Sequence, residues 1–310
     1  MGDPAGIGVE IALKSLRYIS KKSIPVLIGD SVPVDYVKKN IFKNSDLFNL
    51  KKFKHGQPGD AEFIDLGLVN NVQFGVSNHC YGRASYQYVI EALKLVFSGD
   101  VSAIVTCPIN KQSIRSAGIM FPGHTEILAH FSGIRDYVMM MVSGNMRVSL
   151  ATIHIPLKDV PSFLNVENIF NCVCITRQSL INCFNIKNPV IKVSGLNPHA
   201  GEQGIMGSEE NIITKAISMA QALNMEVYGP FPGDTLFHRI DCDAFIAMYH
   251  DQGLIPVKTV GFEKAVNITL GLPFVRTSPG HGTGYDIAGK NLANPSGLIE
   301  SYKMAEKMVL

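Results

Sequence analysis

The sequence predicts an α/β fold with a largely parallel sheet, and three observations carry that reading. Short apolar runs of strand length alternate with segments of helical periodicity along the whole chain. Several of those runs stop in polar, glycine-containing loops, where open α/β sheets place their ligands. At 310 residues, 46% hydrophobic and 17% charged, the chain is ample for a large core. No Pro/Ser linker marks a boundary, so a two-domain division is expected to be discontinuous, 1–120 with 276–310 against 121–275.

The elements follow in order. Met1–Ile7 is turn chemistry, and Val9–Leu16 is an amphipathic helix. A glycine turn before a helix can present backbone N–H groups to an anion, though on these residues alone a plain βα turn is the better reading. Ile24–Ile28 is a strand, Val34–Asn40 a helix, and Phe42–Asp60 a lysine-rich surface excursion. Ala84–Phe97 has helical periodicity, and Ala103–Thr106 is a short strand running into Cys107–Lys111 before a helix at Gln112–Ala117. In Phe121–Glu126, His124 and Thr125 open a helix whose first amides suit phosphate or carboxylate; Thr125 also reads as a simple N-cap. Tyr137–Val142 and Arg147–Thr152 are neighbouring strands about a Ser143-Gly144-Asn145 turn, and Val166–Phe184 is helical. Gly207–Glu210 reads as a capped start to a helix at Asn211–Leu223. Phe262–Thr269 reads as a strand pair carrying Asn267, Pro273–Thr277 delivers Arg276, and Ser296–Val309 closes the chain as a helix.

Composition narrows the function. A formal net charge of +2 without basic or acidic blocks argues against nucleic acid or a membrane as the main partner. The apolar runs are strand-length, well short of a membrane span. No signal peptide is apparent, and the six scattered cysteines read as reduced thiols, so the expected compartment is the cytoplasm.

Three strand-like segments share one form. Arg147–His154 ends in His154, Pro189–His199 ends in His199, and Ala244–Tyr249 runs out into His250-Asp251-Gln252-Gly253, read as a polar loop. Each histidine alone is better explained as a satisfied core or loop residue. Together they would deliver three imidazoles to one sheet edge, a ligand set suited to Zn²⁺ or Co²⁺ with a position left open for substrate. Asp234, in the Pro/Gly-rich loop Gly229–Thr235, could serve as acid, as base or as a partner orienting one of the imidazoles, though alone it reads better as an Asx-turn residue.

The densest glycine stretch is Ser278–Gly297. There His281, Gly282, Thr283 and Asp286 stand where backbone could approach a flat ligand and a carboxylate could accept from ribose hydroxyls. A long surface loop is the alternative, but one this rich in special residues is often functional.

Several motifs in one order resemble the 4-hydroxythreonine-4-phosphate dehydrogenase family of pyridoxal phosphate biosynthesis. They are Gly2-Asp3-Pro4-Ala5-Gly6-Ile7-Gly8, Pro122–Glu126, Gly195–Glu202 and Ala247–Gly253. The resemblance implies a two-domain fold like that of isocitrate and isopropylmalate dehydrogenases, with a largely parallel mixed sheet. It implies His154, His199 and His250 as ligands of a divalent metal (Zn, Co or Mg). It implies His124, Thr125, Lys258, Asn267 and Arg276 as substrate-binding residues and Asp234 as the active-site carboxylate. His281, Gly282, Thr283, Asp286 and Asn294 would bind NAD, with NADP as the alternative, through a loop similar to the adenosine-binding loop of the decarboxylating dehydrogenases. It further implies a homodimer with metal sites completed across the interface, and a small phosphorylated amino-acid substrate oxidised at its C3 hydroxyl and then decarboxylated. Relatives acting on another phosphorylated or cyclic hydroxy acid, or a homologue that binds metal without catalysis, are the competing readings. One departure stands out: the family carries a β-strand before the Gly-Asp-Pro-Ala-Gly loop, and here either the true start lies upstream or the sheet lacks that strand.

Overall fold

The computed structural model describes residues 1–19, 22–43, 50–53 and 61–310, so most of the expected 42–60 excursion lies outside the described residues. The chain divides into two compact units, Met1–Gly133 with Pro273–Leu310, and Ile134–Leu272. The division is discontinuous, with its first break after Gly133 where the sequence suggested 120. The reason is local packing: Phe121 and Phe131 place their rings about Tyr86 of the helix His79–Ser98, at centroid distances of 6.4 and 6.5 Å, which holds 121–133 to the first unit.

In the first unit, β1 (Val26–Gly29), β2 (Lys51–Lys52) and β3 (Glu62–Asp65) form a parallel sheet in the order β1-β3-β2. A second parallel pair joins β4 (Ala103–Val105) to the late strand β11 (Val275–Pro279). Among the described residues β1 pairs only with β3, and within this unit β4 pairs only with β11. Between β1 and β4 lies a cavity of about 640 Å³ that reaches His124. One side of it is formed by Tyr88, Val89 and Ala92, and Leu298, Tyr302 and Ala305 contribute from the C-terminal helix. At its end the Met1 ammonium donates to Ile28 O at 2.7 Å, and Asp3 N donates to Pro108 O at 2.9 Å.

The second unit carries β5 (Val138–Ser143), β6 (Met146–Leu150), β7 (Val190–Ser194), β8 (Glu226–Phe231), β9 (Ala244–Ala247) and β10 (Val266–Leu270), in the order β10-β5-β6-β9-β7-β8. β10-β5 and β5-β6 are antiparallel; β6-β9, β9-β7 and β7-β8 are parallel. Alternating residues face opposite sides of a strand. Val148, Leu150, Phe245 and Ala247 pack with Leu254 and Val257 of the helix His250–Gly261. Ser149, pointing the other way, accepts at 2.8 Å from Thr176 Oγ1 of the helix Val166–Phe184. Helices therefore cover both faces. That is why β9 reads as an unbroken apolar run, Ala-Phe-Ile-Ala, with every residue at most 1% exposed.

The architecture is the α/β fold with a largely parallel mixed sheet that the sequence predicts. Three local readings need correction. His250-Asp251-Gln252-Gly253 is the first turn of a helix, not a loop. Gly253 permits this, since a Cβ there would stand 2.5 Å from Leu150 Cδ2, so the helix lies closer to the sheet than any other residue allows. Phe262–Lys264 is a short 3₁₀ turn and only Val266–Leu270 is extended. Glu226–Phe231, whose Gly229 and Pro230 read as loop, is the edge strand of the second unit, where proline costs no ladder bond.

Candidate active site

The second unit brings the ends of adjacent strands together by backbone accounting. Ala151 N donates to Ala247 O at 2.9 Å, and Thr152 Oγ1 donates to Met248 O at 2.6 Å, so the chains leaving β6 and β9 stay side by side. His154 and His250 follow, their ring centroids 5.6 Å apart. That spacing is compatible with two imidazoles sharing an ion at metal–nitrogen distances of about 2.1 Å. His250 Nδ1 donates to Asp251 Oδ1 at 2.6 Å, leaving Nε2 as the free lone pair. A carboxylate behind an imidazole is the usual way a metal-ligating histidine is oriented.

His199 does not complete a set of three. Among the described residues no group of three His, Cys, Asp or Glu side chains is disposed to hold an ion. The strand argument brought His154 and His250 together because β6 and β9 are neighbours; His199 lies five residues beyond the end of β7, in a turn of its own. From His199 to Gln203 every residue is in the left-handed region, with φ between 43° and 77°. Four of these five are not glycine, and such residues avoid that region because Cβ crowds the following carbonyl. The turn is pinned from outside. Glu210 Oε1 accepts from Leu196 N at 3.0 Å and Asn197 N at 2.7 Å, and Oε2 accepts from Asn197 Nδ2 at 3.0 Å. The expected capping box at 207–210 is thus replaced: Glu210 caps the preceding loop, and the helix Glu210–Ala222 starts with no side-chain cap.

Gln252 links the two strand ends. It accepts from Met248 N at 2.7 Å through Oε1 and donates to Gly195 O at 2.8 Å through Nε2. Gly233 packs against it, a Cβ there lying 3.0 Å from Gln252 Nε2 and 3.2 Å from Ser194 Oγ. Asp234, the next residue, is exposed in the one-turn helix Gly233–Leu236. Lys258 stands on the His250 helix with its ammonium 5.5 Å from the Phe262 ring centroid. Asn267 on β10 has a buried Oδ1 that accepts no hydrogen bond from the described residues.

In the first unit Arg276 projects from β11, 3% exposed, and donates through Nη2 to Thr106 Oγ1 at 2.7 Å. Burial pulls its guanidinium down to about 10, with Glu126 opposing, so it stays cationic at neutral pH. His124 opens the helix His124–Phe131, and burial, then Arg276, then the Met1 ammonium hold its imidazole well below the usual range. It is therefore neutral at pH 7, able to donate from one nitrogen and accept at the other. The N-cap of that helix is Gly123, not Thr125, which sits half-buried in the first turn.

The glycine loop also belongs to this unit. His281 Nδ1 donates to Gly282 O at 3.1 Å, which leaves Nε2 as an acceptor, buried and without a partner among the described residues. A Cβ on Gly282 would meet nothing within 4 Å, and Asp286 is exposed. Thr283 is held from behind, its carbonyl accepting from Ile7 N at 2.9 Å. Asn294 Oδ1 accepts from Ser296 N at 2.9 Å, a helix-starting contact at Ser296–Val309. Sequence reasoning passed over Gln252, Glu210, Asp3 and Tyr285 as individual residues, although all four lay in stretches already noted.

Comparison with known proteins places this geometry in context. The family model described as pyridoxal phosphate biosynthetic protein PdxA matches residues 21–305. A 4-hydroxythreonine-4-phosphate dehydrogenase of Sulfurihydrogenibium sp. is 44% identical over 98% of this chain and 95% of its own. A putative D-threonate 4-phosphate dehydrogenase of Oceanobacillus iheyensis is 39% identical over 98% of this chain and 95% of its own. The crystal structure of a 4-hydroxythreonine-4-phosphate dehydrogenase from Klebsiella pneumoniae superposes with a TM-score of 0.89 at 35% identity, covering 100% of this chain and 96% of that one. The chain belongs to the PdxA family of pyridoxal phosphate biosynthetic proteins.

Proposed function

We propose that the protein oxidises 4-phosphohydroxy-L-threonine at its C3 hydroxyl with NAD⁺ and releases CO₂ to give 3-amino-2-oxopropyl phosphate. The observation that carries this reading is the His154–His250 pair beyond the ends of adjacent parallel strands, with His250 oriented by Asp251. Family membership supplies the substrate class.

His154 and His250, with ring centroids 5.6 Å apart, are the first two proposed ligands of a divalent ion, and His199 is the third by resemblance. A divalent ion held there would lower the hydroxyl pKa and polarise the ketone. The chain's own residues do the rest. Asp234, exposed in its turn, receives the C3 hydroxyl proton as the C3 hydride passes to NAD⁺. The resulting β-keto acid loses its carboxylate as CO₂, the bonding electrons passing into the ketone as an enolate, which takes back a proton to form the product. Arg276 provides a fixed cation for phosphate or carboxylate, and neutral His124 with Thr125 adds donors without a competing charge. Lys258 and Asn267 remain substrate residues by resemblance, and the orphan Asn267 Oδ1 is an acceptor suited to a ligand N–H or O–H. His281, Gly282, Thr283, Asp286 and Asn294 bind NAD, with NADP as the alternative.

We assign the functional form to a homodimer that completes the metal site. In support, His199 stands outside the His154–His250 pair within one chain, and next to its turn Ile205 is 79% and Met206 45% exposed. A second reading, oxidation of D-threonate 4-phosphate, is favoured by the Oceanobacillus relative.

The test is NADH formation at 340 nm by the chelated protein, with each phosphorylated substrate, before and after adding Zn²⁺, Co²⁺ or Mg²⁺. Metal-dependent NADH from 4-phosphohydroxy-L-threonine is expected. NADH from D-threonate 4-phosphate alone establishes the second reading, and none from either refutes both.

A further inference from the structure

We infer that Tyr285 and Asp3 form a positioning pair that holds the glycine loop 281–289 in its ligand-ready shape, so that Tyr285 sets nucleotide affinity without touching the chemistry. This rests on the reading of that loop as the cofactor site.

Asp3 is 0% exposed, yet it lies in an apolar-flanked turn where a carboxylate is costly unless fully hydrogen-bonded. Its Oδ1 accepts from Ala5 N at 2.8 Å, and Oδ2 accepts from the Tyr285 hydroxyl at 2.9 Å. That second bond joins residues 282 positions apart and ties the chain's first turn to the glycine loop. The Tyr285 hydroxyl also lies 3.4 Å from Ser113 Oγ, which is 2.9 Å from Ser77 Oγ. Ser113 is in turn fixed by its own N–H donating to Asn110 Oδ1 at 2.8 Å.

Backbone contacts repeat the pattern. Ile7 N donates to Thr283 O at 2.9 Å, and Gly75 N donates to Ala5 O at 2.8 Å. Gly75, at φ +76°, passes so close that a Cβ would stand 2.6 Å from the Tyr285 carbonyl oxygen. A Cβ on Gly6 would stand 3.0 Å from Thr283 O. Residues 283 and 285 are thus gripped from the side of the first turn. The neighbouring face stays open at Gly282 and Asp286, and His281 keeps a bare acceptor nitrogen. A loop clamped on one side and open on the other loses little conformational freedom when a ligand arrives, and preorganisation of this kind appears as affinity.

The experiment compares Tyr285→Phe, Asp3→Asn and the double variant with the wild-type full chain. Amide hydrogen exchange over 281–289 is measured without ligand. NAD⁺ Kd is measured by calorimetry, and the KM for NAD⁺, the KM for the phosphorylated substrate and kcat by NADH formation. Removing the tyrosine hydroxyl should speed exchange over 281–289 and raise the NAD⁺ Kd and KM roughly tenfold, the effect of one buried hydrogen bond. The other KM and kcat at saturating NAD⁺ should stay within about twofold. The double variant should be no worse than the poorer single one, because both substitutions act on the same bond. Exchange and NAD⁺ Kd unchanged in Tyr285→Phe would overturn the inference, as would equal damage to both KM values. A wild-type chain that does not bind NAD⁺ would instead refute the cofactor reading, and exchange over 281–289 would still decide whether the pair holds the loop.

Discussion

Neutral His124 makes a quantitative claim about pH. Its imidazole is held well below the usual value of 6.5 by burial, by Arg276 and by the Met1 ammonium. In the unfolded chain it regains an ordinary histidine pKa near 6.5. A depressed folded pKa gives stability that is present above 6.5 and is lost as pH falls below it, because the unfolded state takes up a proton that the folded state refuses. For a ring that stays neutral, linkage gives a loss of about 1 kcal/mol between pH 6.5 and pH 5.5. His124 keeps part of its surface in solvent, which reduces the expected loss to between about 0.5 and 1 kcal/mol. Urea unfolding of wild type and His124→Gln at both pH values, followed by far-ultraviolet circular dichroism, isolates the term as the difference between their pH slopes. Proton NMR of the imidazole C–H signals gives the titration directly. A His124 signal titrating near 6.5, or a glutamine variant with the wild-type slope, would refute the argument that burial and Arg276 dominate this site.

Other consequences are simpler to read out. Phe245→Ala empties a fully buried position of β9 and should cost about 3–5 kcal/mol in unfolding of the second unit. Glu210→Ala strands two backbone donors of the 196–197 loop and should make 196–206 a preferred site of limited proteolysis, with Glu210→Gln intermediate. Joining an extended apolar segment of about five residues to Met1 should fill the cavity between β1 and β4. It would raise Tm and slow amide exchange at Val26–Ile28 and Ala103–Val105, whereas the same segment with alternating prolines should not.

Much of this fold was legible where local signals agree with tertiary packing. The helices Val166–Phe184 and Ser296–Val309 fall on the residues that periodicity marks. The antiparallel hairpin of β5 and β6 closes about the expected Ser143-Gly144-Asn145 turn. The His250 helix was not legible, because Gly253 and Pro256 are poor helix formers. Its formation is decided by close packing on Leu150, Val148 and Ala247, which no window of sequence contains. The site divides the same way. His154 and His250 could be paired because a parallel sheet brings strand ends to one edge. Gln252 to Gly195 and Asp3 to Tyr285 could not, since nothing local states which distant partner a polar side chain will meet. His199 shows the limit of the strand argument, which locates the end of β7 but not the left-handed turn beyond it.

The Gln252 bridge has a mechanical consequence. One amide spans two strand ends and uses both of its functions, accepting at Met248 and donating at Gly195, so an isosteric glutamate cannot replace it. The stretch that leads to His199 and the helix start that carries His250 therefore share a rigid linkage two bonds long. Neither stretch can move away from the other without breaking one of these two hydrogen bonds.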